Sequence, residues 1–163
     1  MILNVIKELK INISWKMIYI GLCNGNISTY EVVDYAMKQI ERGDTRPEIF
    51  ELAGAYADDY EYILGLVQDL VEVSLDESLE SRKIRLAIVF EKIKNKNRNF
   101  VDGLIELTEL WDSLGFPEDS PHIVQGVNNT LSPNEYYSQE NYDELYRLNY
   151  EWFMKEWQYL QNK

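Results

Sequence analysis

Ser28-Thr29-Tyr30-Glu31-Val32-Val33-Asp34-Tyr35-Ala36-Met37-Lys38-Gln39-Ile40-Glu41-Arg42-Gly43 carries both ends of a helix in its own residues. Ser28 and Glu31 have the capping-box spacing, in which the serine hydroxyl accepts from the Glu31 amide while the Glu31 carboxylate reaches back. Val32, Val33, Ala36, Met37 and Ile40 recur at helical spacing, and Gly43 supplies the left-handed residue that stops the chain. The stretch predicts a helix from about residue 28 to 42.

The same punctuation continues outward. Thr45-Arg46-Pro47-Glu48 repeats the start signal, with Pro47 at the first helical position, and predicts a helix from about 46 to 57. Asp58-Asp59 opens the next, which carries Tyr62, Ile63, Leu66, Val67, Leu70 and Val71 on an apolar stripe. Leu79, Ile84, Ala87, Ile88 and Val89 or Phe90 mark another over about 78 to 95, and Leu104, Leu107, Leu110, Trp111 and Leu114 one over about 100 to 114, closed by Gly115 and Pro117. Upstream, Ser14 caps a short helix with Trp15, Ile18, Tyr19 and Leu22 that ends at Asn24-Gly25. Pro117, Pro121, Gly126, Asn128-Asn129 and Pro133 make residues 116–134 the long irregular segment. Ser132-Pro133-Asn134-Glu135 then opens a last helical region, broken near Ser138 to Asn141 and running to about 160. No alternating run is long enough for a secure strand, although residues 2–6 could pair as an edge. The expected fold is an all-α single domain over residues 1–163, an irregular bundle of roughly six to eight helices or helical hairpins.

Composition narrows the function classes. A chain of 163 residues with 45% apolar residues buries a core without disulfide or metal staples, and its 4 Trp, 12 Tyr and 5 Phe exclude a disordered acidic tail. The net charge of −12 repels phosphate backbones, so nucleic acid is not an expected partner. No window approaches about 18 uninterrupted apolar residues, which excludes a helical membrane span. The N-terminal residues lack the basic lead-in and cleavage site of a signal peptide. A lone cysteine points to a reduced, cytoplasmic setting.

Chemistry-bearing residues are sparse. His122 stands alone in the proline-rich segment and reads as a solvated loop histidine. Cys23, beside Asn24-Gly25 with no second cysteine, reads as a half-buried structural thiol. Gly21 and Gly25 precede no GK[ST], and no GxGxxG occurs, so no nucleotide or other cofactor is expected. Asp58, Asp59 and Glu61 cluster without EF-hand spacing, and helix capping and solvation account for them. The expectation is a protein without a catalytic centre or metal site.

Charge segregation is the strongest remaining signal. Residues 58–80 hold eight acids and no Lys or Arg, residues 81–99 hold seven cations against Glu91, and residues 100–121 return six acids. Local ion pairs account for part of this pattern, but the acids outnumber the cations that could neutralise them. Asp69, Glu72, Asp76 and Glu77 are therefore the candidate surface for a basic protein partner. Residues 132–163 carry nine aromatics. A core stripe of Tyr142, Leu145, Tyr146, Phe153, Trp157 and Leu160 leaves Tyr150, Trp152 and Tyr159 as second-face packing or contact residues.

Ile27-Ser28-Thr29-Tyr30-Glu31-Val32-Val33-Asp34-Tyr35-Ala36 and Leu110-Trp111-Asp112-Ser113-Leu114-Gly115-Phe116-Pro117-Glu118-Asp119 resemble a family of small acidic bacterial proteins of unknown function. The resemblance reaches from Trp15 to Asp119, and such proteins are similar to the immunity proteins of polymorphic toxin systems. It implies a cytosolic, helical, single-domain protein that blocks a toxin domain, and it assigns no residue a role. The expected function is thus non-enzymatic protein binding, with a basic toxin domain as the partner. The competing readings are a regulatory or scaffolding adaptor, homodimeric or not, and a carboxylate-dependent or metal-dependent enzyme.

Overall fold

Helix punctuation is realised almost residue for residue in the computed structural model, which describes residues 1–163. Nine α-helices and no strand follow one another: α1 (Ile2–Glu8), α2 (Trp15–Cys23), α3 (Thr29–Glu41), α4 (Pro47–Gly54), α5 (Tyr60–Asp69), α6 (Glu77–Ile93), α7 (Phe100–Ser113), α8 (Pro133–Tyr136) and α9 (Gln139–Gln161). The fold is all-α as expected, and the count exceeds six to eight because one unexpected short helix, α1, joins those the caps mark. No helix is long and apolar enough to cross a membrane.

Residues 2–6 are helical rather than an edge strand. Leu3, Val5, Ile6 and Leu9 are all buried, a spacing that suits one helix face and not one strand face. Glu31 explains how so short a helix is held. Its Oε2 closes the capping box on Ser28, while its Oε1 accepts from the Leu3 amide at 3.1 Å, one of the orphan donors of α1. One carboxylate thus secures the start of two helices.

Other caps follow the sequence with one exception. Ser14, Asp59 and Ser132 accept from the amides of Met17, Tyr62 and Glu135. The cap of α4 is Arg46, not Thr45, and it makes no side-chain cap bond. Asp44 takes that place by accepting from the Arg46 amide at 3.1 Å and from its guanidinium. Gly43 stops α3 with φ of 93°, a conformation that a side chain would strain.

Backbone contacts divide the chain into two compact units, Met1–Ala87 and Ile88–Lys163, with the boundary inside α6. In the first, α3 packs on α4, α2 on α5, and α4 on α5, around Met17, Ile18, Val32, Ile49, Leu52 and Ile63. In the second, α7 packs against α9 and α8 against α9. Trp111, Leu104 and Leu145 are fully buried there. The close approach of α7 to α9 depends on Gly103, because a Cβ at that position would lie 2.4 Å from the Tyr142 ring.

Candidate functional site

The acidic stretch lies where α5 hands over to α6. Leu66, Val67 and Leu70 turn inward, while Asp69, Glu72, Asp76 and Glu77 are exposed. The connector is tied down: Lys16 Nζ donates to the Leu75 carbonyl at 2.6 Å, and Asp76 accepts from the Ser78 amide at 2.9 Å. Glu80 leaves the acidic surface altogether. It is 1% exposed, accepts from Ser14 Oγ at 2.5 Å and pairs with the buried Lys83 at 2.7 Å. Asp58 and Asp59 are likewise engaged, Asp58 with the Tyr30 hydroxyl and Asp59 as the cap of α5. The basic stretch forms ion pairs that include Lys94 with Glu91 one turn away and Lys96 with Asp143 on α9.

The aromatic helix α9 divides its three off-stripe residues. Tyr150 and Tyr159 are exposed. Trp152 is half-buried, meets Trp111 edge to face at 5.1 Å, and donates its indole N–H to Asp119 at 3.0 Å. The buried stripe also contains Asn149 and Glu156, which hydropathy alone passes over.

His122 is not the solvated loop residue expected from sequence. It is buried at 9% exposure, and burial pushes its pKa down to about 4. Thr108 Oγ1 lies 2.9 Å from His122 Nε2 and 2.9 Å from the Leu104 carbonyl. The Thr108 hydroxyl can give its one proton to the Leu104 carbonyl or to Nε2, and the Tyr136 hydroxyl lies 3.4 Å from the same oxygen, so the direction of the Thr108–His122 bond follows the imidazole tautomer. Burial favours the neutral ring, and Nδ1 has no hydrogen-bond partner. Cys23, also contrary to expectation, is exposed rather than half-buried. No three His, Cys, Asp or Glu side chains converge on a point that could hold a metal.

A cleft of about 480 Å³ opens in the first unit. Lys7, Arg42 and Arg46 line it, with Glu72 as its one carboxylate. Trp15 and Tyr35, packed edge to face at 5.4 Å, form part of its wall, and the Lys7 ammonium sits 5.2 Å from the centre of the Tyr35 ring. Burial, then Lys38 and Arg42, hold the Lys7 pKa below the ordinary lysine value. Gln39 also lines the cleft, and its amide nitrogen is sealed from water without a hydrogen bond of normal geometry.

The model of a bacterial family, described as uncharacterized protein conserved in bacteria (DUF2247), matches residues 3–157. The chain belongs to this family. Comparison with curated proteins and with solved structures finds no match. The DUF2247 match takes in all the charged residues of the cleft and every candidate contact residue except Tyr159, which lies just beyond it.

Sequence reading passed over the cleft because its cations stand at positions 7, 42 and 46, on three separate segments, and form no run. A signal was present only at the pair Lys38 and Arg42, which places two cations one helical turn apart at the end of a capped helix.

Proposed function

We propose that this chain is a non-enzymatic protein-binding module, acting in the cytoplasm as an immunity protein that occludes a basic toxin domain with its acidic surface. One observation carries the reading: Asp69, Glu72, Asp76 and Glu77 are all exposed, two on the α5–α6 connector and one at each flanking helix end, where Lys16 and the Asp76 turn hold the backbone in place. Fixed carboxylates of one sign raise encounter rates by about 10 to 1,000-fold at low salt, and a surface already ordered loses little entropy on binding. Such a surface also imitates the phosphates that a basic nuclease cleft is built to hold.

The test is protection. Bacteria expressing a basic toxin domain that binds this chain should grow when the wild-type chain is co-expressed, and should lose most of that protection with Asp69, Glu72, Asp76 and Glu77 all replaced by Ser. Growth arrest unchanged by the wild-type chain would overturn the reading. Equal protection by both would move the contact to Tyr150 and Tyr159.

A further inference from the structure

In a chain of net charge −12, a cleft lined by three cations and one carboxylate runs against the composition. Lys7 stands on α1, Arg42 caps the end of α3, and Arg46 precedes α4, so three separate segments bring like charge to one concavity. Such convergence has a cost unless something negative offsets it. Asp44 offsets part. It binds the Nε and Nη2 edge of Arg46, which leaves Nη1 uncommitted. Asp34 neutralises the neighbouring Lys38 at 2.5 Å. Lys7 and Arg42 have no comparable carboxylate in the cleft except Glu72.

The rest of the wall adds no second carboxylate. Gln39 Nε2 is sealed from water beside the Tyr35 side chain and steadies that wall rather than facing the cleft. Ser14 and Trp15, the cap and first residue of α2, also line the cleft, which sets the positive end of that helix at its edge. The ligand that satisfies these cations is one made of acceptors, and the volume is in the range of small-molecule sites.

We infer that this cleft is an oxyanion site that takes a phosphate group, either free phosphate or the phosphate of a small organic monoester, on Lys7, Arg42 and Arg46. Phosphate fits better than carboxylate because its greater charge and additional oxygens meet three cations at once. Glu72 opposes the ligand and keeps the site selective for a group able to outweigh one carboxylate. The site borders the acidic docking surface at Glu72, which belongs to both, and its cations lie outside that surface.

Isothermal titration at low salt, with inorganic phosphate, phenyl phosphate and benzoate as probes, tests the inference, and the Trp15 indole N–H resonance reports occupancy. Saturable one-to-one binding of inorganic phosphate or phenyl phosphate is expected, with tighter binding of the ester if the Trp15 and Tyr35 wall takes its ring. Lys7→Gln and Arg42→Gln should each weaken it about tenfold. Glu72→Gln should strengthen it several-fold, a gain that misfolding cannot imitate. No saturation by either phosphate, benzoate binding as tightly as phenyl phosphate, or an affinity indifferent to all three substitutions would overturn the assignment.

Discussion

Trp111 donates its indole N–H to Asn149 Oδ1 at 2.6 Å, and both side chains are fully buried between α7 and α9. The Asn149 amide nitrogen turns back to the Leu145 carbonyl at 2.7 Å, so both ends of the amide are occupied. Asn149→Ala strands the indole donor in a site that water does not reach. The expected loss is about 2 kcal/mol or more of stability, read as a lower denaturant midpoint by tryptophan fluorescence.

Two helical glycines should respond in opposite directions to the same substitution. A Cβ on Gly103 meets the buried Tyr142 ring at 2.4 to 2.6 Å, and the Tyr142 hydroxyl is tied to the Asn97 carbonyl, so the ring cannot simply swing away. Gly103→Ala should cost about 1 to 3 kcal/mol despite alanine's better helix propensity. Gly65, within α5, has nothing within 4 Å of the added carbon. Gly65→Ala should raise stability by about 0.5 to 1 kcal/mol, and thermal melts of the two variants read the contrast directly.

The buried imidazole makes stability depend on pH. His122 has its pKa lowered to about 4 in the fold against the ordinary 6.5, so the unfolded chain takes up its proton first as pH falls. The contribution is fully present above about pH 6.5 and drains away between 6.5 and 4, amounting to up to about 3 kcal/mol. His122→Asn should remove that component while the carboxylates continue to titrate. An NMR titration of the wild-type ring should find its midpoint near 4.

Signals confined to a few neighbouring residues were legible in the sequence. Ser28 with Glu31, Pro47, Ser132 with Glu135, and Gly43 set helix ends to within a residue or two of where they fall, because capping is local chemistry. The helix α1 was not legible, since the acceptor for its Leu3 amide is Glu31, far along the chain. Asn149 and Glu156 read as solvent-facing letters on an aromatic helix, yet tertiary partners make Asn149 part of the interior. His122 misled for the same reason: the proline-rich segment around it looks exposed, while Thr108 on α7 covers its ring. Segregated acid was visible as a run, and the sequence marked where it lies without marking that Glu80 would turn inward to Lys83 and Ser14. The cationic cleft had no run to reveal it.

On the proposed function, exposed carboxylates at the α5–α6 connector draw in a basic protein partner. Stopped-flow association of the wild-type chain and of the variant with Asp69, Glu72, Asp76 and Glu77 replaced by Ser, each with a basic toxin domain as the proposed partner, measures this across a range of salt. A slower association at low salt is expected for the variant, with a flatter salt dependence and a dissociation rate changed far less, because surface charges act on encounter more than on residence. Equal association rates at low salt, with the variant folded as judged by its thermal melt, would contradict it.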